Sequence, residues 1–288
     1  LTKLWLMRAL RPIVARFPWV FYAVAHGVAG TAWLTRRDIR RMLVRNMLPL
    51  CDGDIARARR EGRRAMRFVA QYYVDLATLP RRDMTRFESE HLALVHGERL
   101  AVLEQPGPIV VVSAHTGNAE LAVQALTFRG RSFVALVEEL KPPAWSEYLL
   151  HLRATAGGHF HEANFGGVRA CVEALKAGQL VGVMGDRDIQ GAGVCVTLFD
   201  REVRIPRGPW ELARRTNALV LPVFCSRIER DDFAVWVGEA FRVATSDDME
   251  ADVAQAAERY TKLLEDHLKR DPAQWAFLED FWKVHACE

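Results

Sequence analysis

From residue 107 onward the chain alternates short, uncharged, β-branched runs with amphipathic stretches, and no other feature constrains its fold as tightly. Pro108-Ile109-Val110-Val111-Val112-Ser113 reads as a strand. Residues 118–128 read as the helix that follows, with Leu121, Val123, Ala125 and Leu126 available for packing. A strand over 132–137 and a helix over 145–154, entered through Pro142-Pro143, repeat the step. Residues 168–177 and 209–216 add helices, and 180–184 and 219–224 add strands. Strands this apolar are buried on both faces, which predicts an α/β fold whose central, mostly parallel sheet is flanked by helices. A hairpin over 194–205, one or two strands within 233–243 and a C-terminal helix over 249–269 complete the expected core. With 288 residues, half of them hydrophobic, the chain can bury one large core, so a single domain is expected.

The first ninety residues follow a different pattern and are expected to form an N-terminal helical, membrane-associating segment (1–90) ahead of the catalytic core (91–288). Leu4, Trp5, Leu6, Leu10, Ile13, Val14, Phe17, Trp19, Val20, Phe21 and Tyr22 make an apolar and aromatic series broken by Lys3, Arg8, Arg11 and Arg16. Such a segment suits a membrane interface, the plainer alternative being a helix docked on the core. Residues 35–67 then carry a dense set of arginines, attractive to an anionic membrane surface or simply a solvated helical face balanced by Asp52, Asp54 and Glu61. The whole chain is only +3, which argues against nucleic acid as a partner. No uncharged apolar run is long enough for a transmembrane helix. The five scattered cysteines, with no C-x-x-C pair, fit a reducing compartment better than a disulfide framework.

In open α/β sheets the ligand lies off the carboxyl ends of the strands. The first of the predicted strands ends at His115, the second at Glu138, the third at Asp186 within Gly185-Asp186-Arg187-Asp188, and the fourth near Cys225-Ser226-Arg227. A histidine can take a proton from an alcohol near neutral pH while a carboxylate fixes its tautomer, and His115 and Glu120 lie close together across a strand-to-helix turn. Gly117 permits that turn, and Asn118 is a plausible helix N-cap. A metal-dependent hydrolase using His151, His159, His161, His115 and Asp186 is a weaker alternative. A serine hydrolase is weaker still, for lack of a G-x-S-x-G elbow.

His115-Thr116-Gly117-Asn118-Ala119-Glu120 resembles the H-x-G-N-W-D/E signature of the lipid A biosynthesis acyltransferases and of their relatives, the phosphatidylinositol mannoside acyltransferases, with Ala119 in place of tryptophan. Glu138-Glu139-Leu140-Lys141-Pro142, Arg153, Asp186-Arg187-Asp188, the stretch from Pro206 to Arg215, and Gln274-Trp275 with Trp282-Lys283 resemble further blocks of that family, in order. The resemblance implies acyl transfer from acyl-CoA or acyl carrier protein to a hydroxyl of a membrane lipid, without metal or resident cofactor. Thr116 and the Glu138 block favour a glycolipid acceptor and coenzyme A. It implies His115 as general base, with Glu120 or Glu138 as its orienting carboxylate. It further implies Arg153, Asp186, Arg187, Asp188 and Arg207 as substrate-binding residues, and a peripheral position on the cytoplasmic face of the bacterial inner membrane. A non-enzymatic lipid-binding protein of the same fold is the remaining alternative.

Overall fold

The computed structural model describes residues 2–122, 132–154 and 158–287. Five helices come first: α1 (Thr2–Arg16), α2 (Pro18–Thr35), α3 (Arg37–Leu50), α4 (Ile55–Thr78) and α5 (Met84–His91). Asp54 caps α4 by accepting from the Ala56 and Arg57 amides, and Asp83 caps α5 through Arg86. These helices have an apolar core of their own, in which Ala29 and Trp33 of α2 meet Leu43 and Met47 of α3 and Ala58, Ala65 and Met66 of α4. No single helix among the described residues is long and apolar enough to cross a membrane; Arg8–Arg16 and Pro18–Thr35 reach that length only together, bent by 117°. Trp5, Ile13, Phe17 and Trp19 are exposed, whereas Val14 and Tyr22 are buried.

The remaining elements are β1 (Leu92–Val95), β2 (Ile109–Ser113), β3 (Phe133–Val137), α6 (Pro143–Ala154), β4 (His159–Glu162), α7 (Phe165–Lys176), β5 (Leu180–Met184), β6 (Val194–Leu198), β7 (Arg201–Ile205), α8 (Gly208–Thr216), β8 (Leu219–Arg227), β9 (Phe233–Val237), β10 (Phe241–Arg242), α9 (Met249–Arg270) and α10 (Phe281–Val284). The sheet runs β1-β9-β8-β2-β5-β3-β4, with β10 added to β8, and is parallel except where β8 meets β9 and β10. Every residue of β2 is buried. Val110 and Val112 enter the core on one face, while Ile109 and Val111 enter the core on the other. That two-sided burial is what an uninterrupted apolar run requires.

The expected α/β architecture is therefore present, with β6 and β7 forming the expected hairpin as a separate two-stranded sheet. Two edge strands, β1 and β4, were not anticipated; His159-Phe160-His161-Glu162 reads as a polar loop because an edge strand keeps one side in solvent. Of the predicted helix 118–128, residues 119–122 are helical, and Val123, Ala125 and Leu126 lie outside the described residues. The cysteines also depart from expectation: Cys195 on β6 is bonded to Cys287. The fold brings these two together by laying the C-terminal segment along β7, where Ala286 bridges Val203 and the Cys287 amide donates to the Glu202 carbonyl. Nothing in a separation of 92 residues announces that pairing.

Candidate active site

His115 follows β2 and Asp186 follows β5, and these two strands are direct neighbours, with Ser113 opposite Met184. The two strand tips therefore deliver their side chains to one place. Asp186 is fully buried and accepts three hydrogen bonds: from His115 Nδ1 at 2.8 Å, from the His115 amide at 2.8 Å and from Trp275 Nε1 at 2.9 Å. The carboxylate can only accept, so Nδ1 carries the proton and, in the neutral ring, Nε2 is the nitrogen left without one. The His115 side chain keeps 39% of its surface exposed, with the Phe277 ring 5.4 Å away. Burial alone pulls the imidazole pKa down, but the Asp186 charge and hydrogen bond outweigh it and leave it above the ordinary value. Burial pushes Asp186 up, and the His115 charge with the donated hydrogen bonds more than reverses this, holding the carboxyl below its usual range.

The carboxylate that accepts from the imidazole is thus Asp186, where Glu120 or Glu138 was expected. Sheet order supplies the reason: β5 lies between β2 and β3, so the tip bearing Glu138 is one strand too far away. Glu138 accepts instead from Arg187 Nη1 at 2.6 Å. Glu120 points the other way, taking Arg153 Nε at 2.6 Å and the Tyr72 hydroxyl at 3.0 Å. Arg187 also forms a two-pronged contact with Glu279 at 2.7 and 3.0 Å, and His285 touches the same carboxylate. Arg187 and Glu138 both act on the His115 charge, in opposite directions.

Two of the expected substrate-binding residues have structural employment. Asp188 accepts from the Gln190 and Gly193 amides and shapes the loop into β6. Arg207 is tied to Glu211 and Glu250. His159 and His161 are exposed on the edge strand β4, and among the described residues no three His, Cys, Asp or Glu side chains gather as metal ligands.

Sequence reasoning missed the group that holds the His115 turn. Asn118 caps the following helix through the Leu121 amide, as expected, and its Nδ2 donates to Asp75 at 2.8 Å. Asp75 is wholly buried, accepts from Tyr22 at 2.5 Å and pairs with Arg227. A carboxylate on the apolar face of α4, flanked by Gln71, Val74 and Thr78, was the available signal. Gly117 adopts φ +55°, and a Cβ there would stand 2.6 Å from the Cys225 carbonyl. Gly117→Ala is accordingly expected to cost about 1–3 kcal/mol, visible as a lowered urea midpoint.

The sequence of this chain is matched over residues 1–284 by the family of bacterial lipid A biosynthesis acyltransferases. The chain belongs to that family. A Mycobacterium tuberculosis protein named phosphatidylinositol mannoside acyltransferase is 30% identical over 188 residues, covering 62% of this chain and only 56% of its own length. Its namesake from Mycolicibacterium smegmatis is 27% identical over 274 residues, covering 90% of this chain and 86% of that protein. Among solved structures, a 1-acyl-sn-glycerophosphate acyltransferase from Thermotoga maritima aligns over 87% of this chain and 98% of its own at 16% identity, with a TM-score of 0.38. That last likeness is too distant to inform the chemistry. Within the lipid A acyltransferase family, the His115 hexapeptide and Trp275 are joined here through one buried carboxylate.

Glu120 and Arg153 are only 15% and 11% exposed, so Glu120→Gln leaves a cation short of its partner and is expected to lower stability by about 3 kcal/mol. Its effect on turnover, and that of Glu138→Gln, should stay within about tenfold, because neither carboxylate touches the imidazole. Steady-state rates beside denaturation curves separate the two kinds of loss.

Proposed function

We propose that this protein transfers a fatty acyl chain from a thioester donor, acyl-CoA or acyl carrier protein, to a hydroxyl of a membrane glycolipid, with His115 as general base. The reading is carried by the His115–Asp186 pair: an imidazole whose proton-bearing nitrogen is fixed by a buried anion and whose ring stays partly exposed. His115 Nε2 takes the proton as the acceptor oxygen bonds to the thioester carbonyl carbon. The resulting oxyanion collapses, the carbon–sulfur bond breaks, and the imidazolium returns its proton to the departing thiolate. Asp186 stabilises the imidazolium between those steps. No metal or resident cofactor enters this scheme. Arg187 acts on the His115 charge from nearby but is held by both Glu138 and Glu279, so a substrate anion would meet it only by displacing one of those carboxylates. Thioester consumption measured against a panel of hydroxylated lipids, with products read by mass spectrometry, tests the proposal. Donor hydrolysis without an acylated lipid from any acceptor would overturn it.

A peripheral position on the cytoplasmic face of the bacterial inner membrane is part of the same reading. It is supported by the exposed Trp5 of α1, Trp19 of α2 and Phe17 between them, since an acceptor left in the bilayer escapes the cost of about 0.8 kcal/mol per exposed methylene. Tyr22 and Trp33 are built into the core, so truncating the first 34 residues would strip the fold as well as the membrane contact. Trp5→Ser with Trp19→Ser is the cleaner change, expected to weaken vesicle binding at least tenfold in co-sedimentation. Unchanged binding would place the contact elsewhere.

A further inference from the structure

Asp75 sits in the last turn of α4, wholly buried, and two separate supports of the His115 turn end on it. The first is direct. Asn118 Nδ2 donates to Asp75 Oδ2 at 2.8 Å, while Asn118 Oδ1 caps the following helix through the Leu121 amide at 3.1 Å. The second runs through β8, whose last residue, Arg227, pairs with the same Asp75 oxygen. The Arg227 amide donates to Gln274 Oε1 and its carbonyl accepts from Gln274 Nε2, both at 2.9 Å. The Gln274 carbonyl then accepts from the Gly117 amide at 3.3 Å, and the adjacent Trp275 bridges Thr116 and donates to Asp186. The turn that carries His115, and the carboxylate behind its ring, are thus held by groups that lead back to Asp75.

Tyr22 of α2 donates to Asp75 Oδ1 at 2.5 Å, and its hydroxyl also meets Asp231 and Arg82. A helix of the N-terminal layer is thereby joined to the turn. Packing alone gives no reason for charge at this place. The Arg227 and Asp75 side chains are 1% and 0% exposed, and an apolar pair of similar volume commonly equals or exceeds the stability of a buried ion pair. What an apolar pair lacks is an acceptor oxygen to fix the direction of the Asn118 amide. Turnover is sensitive to such direction, since a misplacement of about 1 Å at the reacting groups can cost about a hundredfold.

We infer that Asp75 is a positioning residue for acyl transfer, setting where His115 stands by gathering Asn118 and Arg227 on one buried oxygen. The inference rests on His115 being the base and deepens that reading by naming what fixes its place. Asp75 itself touches no reacting atom. The competing account, in which the Asp75 group only fastens α4 to the sheet, predicts lower stability with an unaltered His115.

The test follows the His115 imidazole by proton–nitrogen NMR in the full chain labelled at histidine, its signals assigned by their loss in His115→Ala. In the wild type the ring should titrate above an ordinary histidine, because the Asp186 charge and hydrogen bond outweigh burial. Asn118→Ser keeps a capping oxygen and removes only the amide that reaches Asp75. Asp75→Leu with Arg227→Met removes both buried charges together, so neither is left stranded. Each change should loosen the His115–Asp186 contact and lower the titration midpoint by about one pH unit. With palmitoyl-CoA as donor, kcat should fall at least about tenfold while KM for the donor stays within about twofold. Adding Asn118→Ser to the charge-pair variant should cost nothing further in kcat, because the link is already cut, whereas independent effects would multiply. A His115 titration unmoved in both variants, or losses that multiply, would overturn the inference. Should the charge-pair variant fail to fold, the titration of Asn118→Ser decides alone. A shifted titration in a protein that acylates no acceptor leaves the positioning role standing and removes the transfer reading; normal transfer with an unmoved titration does the reverse.

Discussion

Replacing His115 by alanine is expected to leave a folded protein whose turnover has fallen at least about a hundredfold, the lower range for removing a general base. The fold survives because the ring is partly exposed and Asp186 keeps two of its three donors, the residue 115 amide and Trp275 Nε1. One hydrogen bond to a charged group is lost, worth about 1.5–3 kcal/mol, so a lowered melting temperature should accompany the kinetic defect without explaining it. In the variant Glu120 stays held by Arg153 and Tyr72 and Glu138 by Arg187, and the remaining carboxylate, Asp186, is a weaker base set back behind the missing ring. Single-turnover transfer with saturating donor checks this, and near-wild-type rates would remove His115 from the mechanism.

The sheet was legible because its strands are written as uninterrupted apolar runs, and the end of each run pointed to His115 and Asp186 as tip residues. What the sequence did not disclose was strand order. Reading tips in chain order makes Glu138 the neighbour of His115, whereas the crossover that inserts β5 between β2 and β3 makes it Asp186. Order depends on packing across the whole sheet, which no local pattern encodes. The buried Asp75 group escaped for a similar reason, since Tyr22, Asn118 and Arg227 converge on it from distant parts of the chain. The arginine stretch was visible as composition, but only the pairing of α3 with α4 turns it into a groove.

Asp186→Asn carries the largest expected effect, and it separates orientation of the base from mere support of the fold. Three donors converge on the two carboxylate oxygens: the His115 amide and Trp275 on Oδ2, and His115 Nδ1 on Oδ1. An asparagine satisfies the first two by turning its carbonyl toward them, which leaves its NH2 facing Nδ1. Nδ1 must then accept, the ring proton moves to Nε2, and the nitrogen that should receive the acceptor's proton is already occupied. A turnover loss on the order of 10³–10⁴-fold follows from that wrong tautomer. The pH dependence supplies the second signature. In the wild type the raised His115 pKa and lowered Asp186 pKa make the charged pair stabilising between the two values, and that stability is lost as pH rises through the first or falls through the second. Catalysis needs the neutral imidazole, so wild-type activity should climb only above an apparent pKa higher than that of an ordinary histidine. Without the Asp186 charge, burial remains and pulls the imidazole pKa down, so the acidic limb of the residual activity should move to lower pH. A variant slow to the same degree at every pH, with its acidic limb unmoved, would show that Asp186 only holds the turn together.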